Sequence, residues 1–375
     1  MYPIYSIKNK LKKSMLSKLK NKVKFIIQSS HICVLIIISI FLNINFSFSN
    51  EDLCSLKKPN SNINETAKIE LGSDINCIEK RVIDVLIIYD ENIILNNVLK
   101  DNIENRFKEV NEFYTFNYKI EWKITNYQKF KFNKSIDNLS SLFSLHKDDI
   151  SQLTNNIKAE VVLALIERDI KGIGIAATFS NVAMVADSSS FNNYINSVVI
   201  AHEFAHLFGA WHTQRKKDFM LFSGANNLSA SRESNAILKL MRDYNFDPKT
   251  IINEDTILNR ISRLYKRHHA KGEIDPVARL LTDAGNSLYQ EKIYNESIKL
   301  LIKSNKYYGR WGKTRMILSK NYYELDMLQD SFTEYTRAIF FGSKPDKKHE
   351  NKLKKKFIDL QKNDPSIKNP FELNN

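Results

Sequence analysis

Three histidines, a glutamate and a glycine fall within one short stretch, His202-Glu203-Phe204-Ala205-His206-Leu207-Phe208-Gly209-Ala210-Trp211-His212. Side chains four apart lie on the same face of a helix, so His202 and His206 can aim ring nitrogens at a single metal ion. Glu203 sits beside them on the wheel, placed to take a proton from water at that metal rather than to serve as a third ligand. Gly209 can adopt a positive φ, which ends the helix and lets the chain bring His212 back to the same ion. Three neutral imidazoles and a water would make an open tetrahedral Zn²⁺ site.

Such a helix must be carried by a scaffold, and the residues ahead of it alternate between strand and helix patterns. The apolar run Val82 to Tyr89 predicts a strand, and Glu91 to Tyr114 has helical periodicity. Tyr118 to Phe132 alternates through Ile120, Trp122 and Ile124 as a half-buried strand would. A helix around Asp149 to Ile157, a short apolar strand from Val161 to Ile166 and another strand from Ile175 to Phe179 follow. Asn193 to Leu207 is the helix with the histidines, its Val198, Val199 and Ile200 entering from the core side.

The pattern H-E-x-x-H-x-x-G-x-x-H resembles the zinc signature of the metzincin metallopeptidases. That resemblance implies an α+β zincin/metzincin-like catalytic domain over residues 81–246, with a mixed twisted sheet plus the zinc helix. It also implies His202, His206 and His212 as ligands of Zn²⁺, Glu203 as the catalytic residue, and Met220 in Asp218-Phe219-Met220-Leu221-Phe222 as the methionine of the turn beneath the zinc. Thr213 stands after the third histidine, where the adamalysin, matrixin, astacin and serralysin groups have Asp, Ser, Glu or Pro. Phe222 stands where astacins and serralysins place a tyrosine, and it has no hydroxyl to offer a metal. In the fold the resemblance implies, the last strand before the zinc helix is a sheet edge, so the backbone from Gly174 to Phe179 is expected to bind a peptide substrate by strand addition.

Charge and cysteines place the chain. The formal net charge is +14, but residues 1–50 hold eight lysines and no acid, so more than half of the charge lies in a segment that reads as targeting. A basic stretch to Lys24, the apolar run Ile32 to Leu42 and small residues at Ser47 and Ser49 make residues 1–49 a signal peptide or an N-terminal anchor. Either form implies an exported protein, secreted or held at the cell surface, with no nucleic-acid partner and with membrane contact only through that segment if it is uncleaved. Residues 50–80 form an N-terminal extension, where a disulfide between Cys54 and Cys77 is expected in an exported chain.

Beyond the catalytic region, residues 247–275 read as a linker with a helix from Asp255 to Tyr265. His268 and His269 stand side by side there, and neighbours on a helix point apart, so neither is expected at a metal. From 276 to 375 an offset of 34 residues aligns Gly285 with Ser319, Ser297 with Ser331, and Ser304 with Ala338. That period resembles tetratricopeptide (TPR) repeats, which implies an all-α TPR-like domain with a possible protein partner and a polar capping helix from Lys347 to Gln361. Together these readings imply an exported zinc-dependent endopeptidase acting on peptide or protein substrates. A catalytically silent zinc-binding surface protein, with the helical region as its interaction module, is the alternative.

Overall fold

The computed structural model describes residues 79–155, 157–187, 192–224, 226–364, 366 and 369–371. The expected targeting segment and the pair Cys54 and Cys77 lie outside the described residues. Among those residues, no helix is long and apolar enough to cross a membrane.

A five-stranded sheet of order β2-β1-β3-β5-β4 carries the N-terminal half. Its strands are β1 (Arg81–Asp90), β2 (Ile120–Phe130), β3 (Val161–Ile166), β4 (Gly174–Ala176) and β5 (Val182–Ala186). All neighbours run parallel except β4, which pairs antiparallel with β5 at one edge. The inner strands are buried on both faces, which is why they read as unbroken apolar runs. Ile83, Val85 and Ile87 of β1 pack on one side with Leu163 and Leu165 of β3. Leu86 and Ile88 pack on the other with Val162, Ala164 and Ile166. Helices α1 (Asn97–Tyr118) and α3 (Asn193–Leu207) cover the first face, and α2 (Leu139–Gln152) covers the second.

The largest differences between the observed bounds and the sequence expectation each have a local reason. Helix α1 starts at Asn97 rather than Glu91, because the Asn96 side chain accepts the Leu99 backbone N–H at 2.9 Å and caps the helix there. Helix α2 starts at Leu139 rather than near Asp149, capped in the same way by Asn138, and buries Leu139, Leu142, Phe143 and Ile150. The strand expected from Ile175 to Phe179 is only β4, since Phe179 takes a left-handed φ of 59°. The fully buried β5 was not foreseen. It, not β4, is the last strand before α3, and it lies inside the sheet while β4 forms the edge.

The later helices are α4 (Arg232–Leu240), α5 (Lys249–Ile252), α6 (Asp255–Arg267), α7 (Pro276–Gln290), α8 (Tyr294–Tyr307), α9 (Gly312–Glu324), α10 (Leu328–Phe340) and α11 (Lys347–Asn363). Leu258, Ile261 and Tyr265 of α6 and Val277, Leu280 and Leu281 of α7 join the same apolar cluster as β1 and α3. The core is therefore continuous from the sheet into the helical region. From α7 to α10 the local structure recurs every 34 residues. Ser297 Oγ donates to Gly285 O and Ser331 Oγ to Ser319 O, both at 2.7 Å. Lys292 and Asp326 each take a left-handed φ between paired helices, at 64° and 58°. A methyl group on Gly285 would come within 2.8 Å of Leu301, so the small residue there permits close helix contact.

Candidate metal centre

Helix α3 is fixed at both ends and along its buried side before any metal is considered. Asn192 caps its start by accepting the Ile195 N–H at 2.8 Å. The Arg106 guanidinium of α1 forms a 2.6 Å ion pair with Asp187, just after β5, and also reaches Asn193. Tyr114 of α1 donates its hydroxyl to Ala201 O at 2.8 Å, and the Phe204 ring stacks on Trp122 of β2 at 3.9 Å. At the other end, Gly209 N–H donates to His206 O at 2.8 Å and Ala210 N–H to Ala205 O at 3.1 Å. This doubly bonded helix end needs a left-handed residue, and Gly209 supplies it with φ 86°. Any Cβ there would also collide with the buried Phe179 ring.

With the helix so ended, the chain returns His212 to His202 and His206. His206 Nε2 lies 3.2 Å from His202 Nε2 and 3.3 Å from His212 Nε2. Each Nδ1 is already engaged: His202 with Phe219 O at 2.7 Å, His206 with Ala210 O at 2.8 Å, and His212 with Glu273 Oε2 at 2.9 Å. A carbonyl oxygen only accepts, so the Nδ1 atoms of His202 and His206 carry their protons, and their Nε2 atoms present lone pairs to one another. Lone pairs converging in a buried place repel unless a cation lies among them. Tetrahedral Zn–N bonds of about 2.0–2.1 Å place nitrogens about 3.3 Å apart, which both spacings from His206 match, and the three donor atoms all lie within 4.8 Å of one another. Among the described residues, these three form the group able to hold a metal.

Burial sets the proton affinities in the direction metal binding needs. The loss of solvation holds His202 down to about 4, aided by the neighbouring His212, and drives His206 well below the usual histidine range. Both stay neutral and ready to donate their lone pairs near pH 7. Burial also pushes the Glu203 carboxyl up to about 8. Its Oε2 has no hydrogen-bond partner among the described residues. Glu203 packs against the backbone of Gly174 in β4, where any side chain would collide with the carboxylate.

The segment after His212 forms the floor. Thr213 N–H donates to Met220 O at 2.8 Å and Phe222 N–H to Thr213 O at 3.1 Å, so the segment holding Met220 folds back beside Thr213, the residue after the third histidine, with Met220 fully buried. The Thr213 hydroxyl does not face the histidines. It donates to the buried Asp218, which also accepts from Ser234 Oγ and the Met220 N–H. Phe222 is 65% exposed, with its ring edge-on to His212 at 5.3 Å. It is an apolar wall at the opening.

Sequence reasoning missed Glu273. It stands 61 positions after His212 within the stretch read as a linker, and no motif marks it. Only the need of each imidazole Nδ1 for an acceptor could have prompted a search for it. His268 and His269 do not join the cluster. The His268 carbonyl accepts Trp211 Nε1–H at 2.8 Å, and the His269 ring stacks on Tyr265.

Comparison with known proteins falls on this same region. The family model described as Metallo-peptidase family M12 (Reprolysin_5) matches residues 79–248. No curated protein matches the sequence. Among solved structures, a chain from a chaperone–substrate complex is 14% identical over 45% of this chain and 35% of its own, with a TM-score of 0.36. This chain thus spans about a third of that protein. Archaemetzincin from Methanopyrus kandleri is 16% identical over 43% of this chain and 96% of its own, with a TM-score of 0.33. A zinc-dependent peptidase from Methanocorpusculum labreanum is 12% identical over 41% and 99%, with a TM-score of 0.30. The family match takes in all five strands, the three histidines and Glu203, so sequence comparison and geometry converge on one metallopeptidase-type region.

Proposed function

We propose that the chain is an exported, zinc-dependent endopeptidase of the metzincin type. The observation that carries this reading is that His206 Nε2 lies about one tetrahedral edge from both His202 Nε2 and His212 Nε2, with a buried carboxylate oxygen nearby in sequence that lacks a partner among the described residues. His202, His206 and His212 would hold the ion. Bound there, zinc supplies Lewis acidity, which polarises a peptide carbonyl and makes water easier to deprotonate.

The chain's own residues do the rest. Glu203 Oε2 accepts the proton of the attacking water and passes it to the leaving amine. A general base positioned in this way contributes about 10²–10⁴-fold in rate. Among the described residues, strand β4 is hydrogen-bonded only to β5 in the sheet, and its other edge suits an extended peptide laid antiparallel beside it. Gly174 on that edge leaves the space that Glu203 uses. Phe222 favours an apolar substrate residue near His212.

Export rests on the basic and apolar pattern of residues 1–49. The 34-residue recurrence from α7 to α10 supports reading residues 276–375 as a TPR-like surface for a protein partner. The mechanism is tested by Glu203→Gln in the full chain. Peptide cleavage should fall about 10²–10⁴-fold while one zinc per chain is retained. Cleavage at the wild-type rate by a zinc-loaded Glu203→Gln protein would remove Glu203 from the chemistry.

A further inference from the structure

We infer that Glu273, outside the residues matched to the metallopeptidase family, is a positioning residue that completes the metal centre by holding His212. This inference rests on the reading of the three histidines as zinc ligands. His202 and His206 are presented by a helix packed on the sheet, and each gives its Nδ1 proton to a neutral backbone carbonyl. His212 lies past the helix end, and its side chain is 27% exposed. Its orientation must come from outside the helix. Glu273 supplies it through the 2.9 Å contact to Nδ1, with a carboxylate that is itself only 12% exposed. Because that acceptor is ionisable, it can also raise the donor strength of the opposite nitrogen, which a carbonyl does less well.

The support for Glu273 is built in layers. Its other oxygen faces the Arg279 guanidinium of α7 at 3.7 Å. Tyr265 of α6 donates its hydroxyl to Glu273 O at 2.7 Å. The preceding turn is bound to the histidine segment itself, with Ala270 N–H donating to His212 O at 2.8 Å and Trp211 Nε1–H to His268 O. Just after it, the fully buried Asp275 accepts from Ser262 Oγ and caps α7 by accepting the Val277 N–H at 3.0 Å. Helices α6 and α7 therefore set where the Glu273 carboxylate stands, and the third ligand is held by the C-terminal helical region.

The test is a zinc chelator competition on the full chain and its Glu273→Ala, Glu273→Gln and Arg279→Ala variants, paired with melting of the metal-free proteins and the visible spectrum of the Co²⁺ forms. Wild type should bind one zinc. Loss of the acceptor in Glu273→Ala should raise the zinc Kd about 10–100-fold and alter the Co²⁺ spectrum. Glu273→Gln keeps an acceptor of the same shape without the charge, so its loss should be smaller, and Arg279→Ala should be smaller again. Should Glu273→Ala fail to fold, the isosteric Glu273→Gln still carries the test through its Kd. Unchanged zinc Kd and spectrum in the Glu273 variants, with only the melting temperature lowered, would overturn the inference and leave the histidine reading intact. A wild-type chain that binds no zinc would overturn both.

Discussion

Among the described residues, imidazoles are buried in two places, and they are satisfied in opposite ways. In the helical region, His349 of α11 places Nε2 2.7 Å from the Ser319 hydroxyl of α9, between the rings of Tyr323 and Tyr335. The Ser319 hydroxyl gives its proton to Ser331 O at 2.8 Å, so it accepts from His349 Nε2–H, and that nitrogen has its partner within the protein. At the other site, the His206 Nε2 faces only the Nε2 atoms of its two neighbours, while every Nδ1 already has an acceptor. Burial of a histidine therefore says little about its role. The partner of the second nitrogen separates a packing residue from a ligand.

Deleting one imidazole from each place should have the largest and most divergent effects. His206→Ala should abolish stoichiometric zinc binding and all metal-dependent cleavage. His349→Ala should leave the zinc Kd unchanged and lower stability by about 1–3 kcal/mol, since Ser319 loses a buried partner. Zinc titration and denaturant melts of both variants check this. Zinc retained at wild-type affinity by His206→Ala would erase the distinction.

A smaller effect is expected from Gly174→Ala. The added methyl would meet the Glu203 carboxylate, so either the base or the strand edge must shift. Cleavage should fall by about tenfold or more, as a displacement near 1 Å is enough to do, with zinc retained. Unaltered kcat and KM would show that Glu203 does not depend on this contact.

The smallest effect concerns pH. Burial holds both His202 and His349 down to about 4, against 6.5 for a free imidazole. Between those values the unfolded chain binds protons that the folded chain refuses, so the metal-free protein should lose stability as pH falls from about 6.5 to 4. Glu203 acts with the opposite sign. Its carboxyl is raised from 4.5 to about 8, so its share of stability is lost as pH rises across that range. Urea midpoints at stepped pH should show the acid loss, and His349→Gln should reduce its slope. An acid branch equally steep in His349→Gln would show that His349 takes no part.

The parts legible in the sequence are those where one local pattern answers to one physical need. The spacing of His202, His206, Gly209 and His212 specifies a helix, its left-handed end and a returning chain without reference to distant residues. Strands β1 and β3 were legible because strands buried on both faces must be apolar throughout. Strand β5 escaped because Val182-Ala183-Met184-Val185-Ala186 is short, and Ile175 to Phe179 offered an equally apolar competitor. The start of α2 escaped because serines interrupt its apolar face and Asn138 alone marks the cap. Glu273 was illegible for a different reason. Its role is a pairing between distant segments, settled only when α6 and α7 pack onto the core beside the histidines.

The central claim is that this centre hydrolyses peptide bonds with a metal. Its most direct test is to incubate the zinc-loaded full chain with a proteome-derived peptide library and sequence the new N-termini, with and without a chelator. New termini should appear, vanish on chelation and return when zinc is restored. Cleavage that is indifferent to the chelator, or none at all from a chain carrying one zinc, would contradict it.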